Sequence, residues 1–179
     1  MQMPIEPGTG QPAPGFRAPT SHGQTLDSET FHGKLAVVLF FLTRPGSADD
    51  EVLLDSFDEH LVDFGHERVQ LLGVAPCSPR ALRDRAEAQQ LAVTILADES
   101  GEIARTFGVS AAVGDPDALA PPATVVIDRR GVIAARVPRT DAPHHVEDVL
   151  EELRRLEDAI DAGDRPDVSL RPRTARSDR

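Results

Sequence analysis

Residues 35–42, LAVVLFFL, are the longest uninterrupted apolar run in the chain. Eight residues cannot cross a bilayer, which takes about 20, but they suit a strand buried on both faces of a sheet. A second such segment, Gln70–Ala75, follows after an acidic stretch with helical spacing. Two doubly buried strands joined by a helix are a βαβ unit, and this points to an α/β fold with helices on both sides of the sheet.

The rest of the pattern extends that unit. Phe16–Thr20 and Gln24–Leu26 flank a Ser-His-Gly turn and predict a short hairpin. Residues 49–64 predict one helix, with Val52, Leu53, Phe57, Leu61 and Phe64 on its apolar face. Asp49, Asp50 and Glu51 fall in its first turn, where acid complements the positive end of the helix dipole. Ser78 is placed to cap a helix that opens on Pro79 and runs to Gln90.

Thr94–Leu96 predicts a short strand and Gly101–Phe107 a short helix. Thr124–Ile127 and Val132–Val137, joined by Asp128-Arg-Arg-Gly131, predict an antiparallel hairpin. A last helix is expected over His144–Ile160, with Val146, Val149, Leu150, Leu153, Leu156 and Ile160 on one face. With 179 residues this is one domain, expected over 14–162, between a flexible N-terminal arm (1–13) and a flexible C-terminal tail (163–179).

Charge and composition narrow the function. Thirty acidic residues against 19 basic give a formal charge of −11, which disfavours a nucleic-acid partner. The seven aromatics are all Phe, too few for base stacking. Lys34 is the single lysine, a bias that fits either a halophilic source or a high-GC genome. No secretory leader or membrane span is read, so the expected localisation is cytoplasmic.

No Gly-x-Ser-x-Gly, P-loop or dinucleotide fingerprint occurs. The pair His144-His145 is expected to be surface or helix-start residues. No Cys or carboxylate spacing completes a metal site with it, and the acidic run Asp49, Asp50 and Glu51, readable as a divalent-metal site, has the simpler role of helix N-terminal charge, so neither a metal nor another cofactor is expected.

The order of elements and three strings resemble the peroxiredoxin family, the alkyl hydroperoxide reductase and thiol-specific antioxidant (AhpC/TSA, redoxin) group that includes the bacterioferritin-comigratory-like proteins. GQPAPGFRAPTSHGQTLDSETFHGKLAVVLFF looks like the family's opening. VQLLGVAPCSPRALRDRAEAQQLAVTILADESGEIARTFGV looks like its middle, and PPATVVIDRRGVIAARV like its closing hairpin. The resemblance implies a thioredoxin-like three-layer fold with a central mixed sheet. It also implies an antioxidant oxidoreductase active in cell redox homeostasis. An external thiol such as thioredoxin would serve as its reductant, and a homodimer would be its assembly.

In such proteins a cysteine in the first turn of the helix after the first central strand is held as a thiolate by backbone N–H groups and the helix dipole. It attacks peroxide to become a sulfenic acid. An arginine from the closing hairpin region holds thiolate and peroxide in place. The matching loop here, Thr43-Arg44-Pro45-Gly46-Ser47-Ala48-Asp49, has no cysteine.

Matching Pro45-Gly46 to the family's Pro-Gly-Cys puts Ser47 in the cysteine slot. Matching a Cys-x-x-Cys variant puts Gly46 and Asp49 there. A serine hydroxyl stays un-ionised and cannot be oxidised in this way. For the family's arginine, Pro122 stands near the expected position and Arg44 is a candidate from the loop side. Pro122 is also a candidate cis-proline facing the loop.

Cys77 is the sole cysteine, so no intramolecular disulfide can form. It follows the second central strand, and parallel strands would bring its loop to the same sheet edge as the Pro45-Gly46 loop. Two readings stand. In one, Cys77 is a displaced redox thiol that forms a sulfenic acid or a mixed disulfide. In the other it is an ordinary small loop residue, and the protein is a non-catalytic binding or regulatory member of the family.

Overall fold

The computed structural model describes residues 7–109, 123–139 and 142–163. Five strands form the central sheet, in the order β5-β4-β3-β6-β7. β3 (Ala36–Phe41) and β4 (Val69–Ala75) are parallel with Ala36 opposite Val69, and β5 (Thr94–Ala97) continues the parallel half. β6 (Ala123–Ile127) runs antiparallel to β3, and β7 (Ile133–Pro138) antiparallel to β6. β1 (Arg17–Pro19) and β2 (Thr25–Asp27) form a separate hairpin.

The apolar run of β3 is buried on both faces because its alternate side chains enter two cores. Val38, Phe40 and Leu42 join Leu53, Leu54 and Phe57 of α1 (Ala48–Glu59), Phe64 of α2 (Leu61–His66), Leu82 of α3 (Pro79–Gln89) and Val146, Val149, Leu150 and Leu153 of α5 (Ala142–Gly163). Val37, Leu39 and Phe41 face the other way, onto Phe16 and Ala18 of the hairpin, Ile103 and Ala104 of α4 (Glu102–Thr106), and Phe107. Helices therefore cover one face, and the hairpin with α4 covers the other.

At the centre of the first core the Phe40 and Phe57 rings stack, with centroids 4.3 Å apart and planes 15° apart. Gly73, opposite Phe40 in register, makes room for them: a Cβ at Gly73 would stand 2.7 Å from Phe40 Cζ. A side chain on β4 at that point would displace the ring.

Three expectations about helices and one about the arm need revision. The helix expected over 49–64 is two helices, broken at His60, whose backbone (φ −94°, ψ 9°) leaves the helical region. The Ser56 carbonyl accepts from the His60 N–H at 3.3 Å and also lies 2.8 Å from His60 Nδ1, so both groups of His60 turn back onto the last turn of α1. Val52, expected on the apolar face, is 46% exposed. The last helix starts at Ala142, two residues before the expected His144, and extends to Gly163; the side chain of Ile160 lies outside the described residues.

Part of the expected loose arm is held by the fold: Gly10 N–H donates to the Ile133 carbonyl, Ala13 N–H to the Gly131 carbonyl, and Ile133 N–H to the Gln11 carbonyl. The tail from residue 164 lies outside the described residues.

Candidate functional site

Because β3 and β4 are parallel, the loops that leave them open at the same edge of the sheet. The first loop reverses in a tight turn in which Ser47 N–H donates to the Arg44 carbonyl over 2.9 Å. Pro45 and Gly46 are its central residues, and Gly46 has φ +95°, a conformation that glycine adopts without strain. Ser47 then caps α1, accepting from Asp50 N–H at 3.3 Å. Its hydroxyl is thus a structural acceptor at the start of the helix.

The side chain that fills this turn from inside is Asp50. It is 1% exposed, and its Oδ2 accepts from the Arg44 N–H at 2.6 Å. Arg139, directly after β7, completes the arrangement from the far end of the domain. Its Nη1 donates to Asp50 Oδ1 at 2.9 Å and its Nη2 to the Asp49 carbonyl at 2.7 Å. A carboxylate in the first turn of α1, bonded to a backbone N–H and paired with a largely buried guanidinium, is a compensated internal anion.

Arg44 itself is exposed and contributes its backbone, so the arginine that reaches the loop from the closing hairpin is Arg139. The sequence reading missed it. Pro122, the other expected landmark and the candidate cis-proline, lies outside the described residues.

A groove of about 600 Å³ opens beside this turn, lined by Pro45, Gly46, Glu51, Pro76, Cys77, Ala81, Arg85 and Gln89. The expectation that Cys77 and the first loop share one rim is met by that lining. On the groove wall Arg85 is paired with Glu51, and Gln89 Nε2 donates to Glu51 Oε2 at 2.6 Å. Of the acidic run, Asp50 and Glu51 thus hold specific ion pairs with Arg139 and Arg85 in addition to charging the helix start.

Cys77 is half-buried and packs against the first core. Burial pushes its thiol up from the ordinary value; Arg85 draws it down and Glu99 pushes it up, both less strongly than burial. The thiol is therefore protonated at neutral pH, the less reactive form.

Between Thr124 of β6 and Phe57 of α1 lies His145. It stands at a helix start, as one of the two expected placements has it, but not at the surface: it is 1% exposed, with its ring edge-on to Phe57 (centroids 6.1 Å, planes 87°) and Nε2 2.7 Å from Thr124 Oγ1. His144 is the exposed member of the pair. A signal was present in the sequence: positions 145, 149 and 153 lie four residues apart and share a face of α5. Among the described residues no group of three or more His, Cys, Asp or Glu could hold a metal ion. No helix there is long and apolar enough to cross a membrane.

The profile of the AhpC/TSA family matches residues 9–136. The chain belongs to this family. Among its relatives, a chloroplastic peroxiredoxin Q of Populus jackii is 29% identical over 150 residues, covering 82% of this chain and 68% of the relative. A putative peroxiredoxin bcp of Coxiella burnetii is 27% identical over 154 residues, covering 84% of this chain and all of the relative. In structure, peroxidoxin BcpB of Mycobacterium tuberculosis superimposes with a TM-score of 0.73 at 21% identity, over 84% of this chain and 98% of that one. The mixed sheet flanked by helices is thus the thioredoxin-type fold of the AhpC/TSA peroxiredoxins.

Proposed function

We propose that this AhpC/TSA protein descends from thiol-dependent peroxide reductases and keeps their scaffold as a binding or regulatory member, with peroxide chemistry withdrawn from the first loop. Family membership supports thiol peroxidase-like antioxidant function as the parent activity. The observation that carries the finer reading is the Asp50–Arg139 pair. In the family's arrangement the first helical turn offers an anion site to a thiolate, and an arginine from the closing hairpin region steadies it. In this chain a carboxylate stands in that turn and holds the arginine. A carboxylate is an anion at neutral pH but carries no sulfur to oxidise.

A second reading is favoured by the groove, where Cys77 stands beside Pro45 and Gly46. There a thiol oxidoreductase would work through Cys77, its sulfenic acid resolved by an external thiol of thioredoxin type. Its protonated, half-buried state argues for slow chemistry. By family likeness both readings take a homodimer as the assembly and the cytoplasm as the location.

Peroxide consumption with dithiothreitol or thioredoxin, measured for the wild type and Cys77→Ser, separates them. No turnover in either protein is the expected result. Turnover abolished by the substitution would establish the Cys77 enzyme in its place, and turnover that survives it would overturn both readings.

A further inference from the structure

His145 is a buried titratable group that neither reading uses. Its Nε2 is engaged by Thr124, while its Nδ1 makes no hydrogen bond of ordinary geometry, although the Pro138 backbone lies close enough to act on the ring. The groups that act on it come from every element packed around it. Asp148 lies on its own helix, the Pro138 backbone and Arg139 lie at the end of β7, and β6 presents Thr124. α1 presents Phe57 directly, and Asp50 through Arg139. Arg139 is at the same time the residue that ties down the first turn of α1, through Asp50 Oδ1 and the Asp49 carbonyl. Thr124, which holds the imidazole, stands opposite Val137 in register, two residues before Arg139, so the ring and the cation that ties down the turn meet at the end of β7.

The geometry points to His145 as an acid-sensitive latch on the first turn of α1: when the ring takes up a proton, a second buried cation stands against Arg139 and weakens its hold on Asp50 and on the Asp49 carbonyl. Burial opposes that proton most strongly, Asp148 favours it, Arg139 opposes it, and the Pro138 backbone favours it, so that His145 titrates below the ordinary imidazole range. The sign follows. A histidine that protonates less readily folded than unfolded leaves stability intact above the unfolded value. Stability is then lost as the pH falls from that value towards the lower folded one. The turn that loosens also forms a wall of the groove, since Glu51 lines it.

The test uses the full-length protein and two readouts followed from about pH 8 down past the ordinary imidazole value of about 6.5, far enough to reach the lower His145 midpoint. One is the NMR titration of the His145 ring. The other is the amide-exchange protection factor of Arg44, Asp50 and Glu51, whose N–H groups are bonded within the turn. The latch requires protection at these three amides to fall several-fold with a midpoint that matches the His145 titration. Asp148→Asn, at an exposed position, should move both midpoints to lower pH together. His145→Gln, which can keep the bond to Thr124 without titrating, should leave protection flat. Unchanged protection while His145 titrates would overturn the proposal, as would an Asp148→Asn protein in which neither midpoint moves. If His145→Gln does not fold, the wild type and Asp148→Asn alone decide the matter.

Discussion

Asp50 and Arg139 stand 89 residues apart in the chain and 2.9 Å apart in the fold. Both are largely withdrawn from water, with side chains 1% and 13% exposed. Desolvating two charges consumes much of the attraction between them, so the pair adds little net stability, whereas removing one partner strands the other. Asp50→Ala is therefore expected to cost about 3–5 kcal/mol. Asp50→Leu combined with Arg139→Met should recover most of that loss. Urea denaturation of the single and double variants measures both, and a single-variant loss below about 1 kcal/mol would show the pair to be solvated.

The clearance at Gly73 makes a separate prediction. A methyl group there meets Phe40 at 2.7 Å, and Phe40 cannot retreat because it stacks on Phe57. Gly73→Ala should destabilise the domain by about 1–3 kcal/mol, as overpacking does. Gly73→Ala with Phe40→Leu should lose less than the sum of the two single substitutions. Strict additivity would mean that the ring is not what excludes the methyl.

Sequence reading yielded the strand β3 and its two-sided burial, because a continuous apolar run admits few other homes. It also gave the Ser78 cap and Pro79 start of α3, since the cap chemistry is local. The meeting of the two loops followed from handedness and parallel pairing alone. What it could not give is the Asp50–Arg139 pair. A salt bridge between polar residues 89 apart leaves no periodicity, and both residues read as surface charges until the hairpin is folded over the loop. The break at His60 was equally hidden, because no glycine or proline marks it and apolar residues continue beyond it.

Cys77 should behave as a sluggish thiol. With burial holding its pKa above the ordinary value, the iodoacetamide rate at pH 7 should fall below that of a free thiol and climb only on the alkaline side of the ordinary range. Arg85→Gln removes the one attraction that lowers it, so its rate profile should shift further towards alkaline pH. A wild-type profile with its midpoint at or below that of a small-molecule thiol would contradict this account of the site.

Gln90 closes α3 in the left-handed region, at φ 54° and ψ 40°, without being glycine. The position costs a side chain about 1–2 kcal/mol, part of which glycine would give back in unfolded-state entropy. Gln90→Gly is expected to raise stability by roughly 0.5 kcal/mol, seen as a higher thermal midpoint. A lower midpoint would mean that the Gln90 side chain contributes more than its backbone strain costs.

Residues 10–13 are bonded to residues 131–133, and the first loop is pinned by Arg139, so both ends of the folded domain depend on its last hairpin. Contacts of such long range form late. During synthesis, a chain that has emerged only as far as α4 holds Asp50 with no guanidinium to neutralise it and leaves the outer flank of β3 unpaired. The site is consequently a checkpoint on the last hairpin: its first turn settles only after Arg139 has left the ribosome, and a product that stops before β6 would expose the edge of β3 to aggregation.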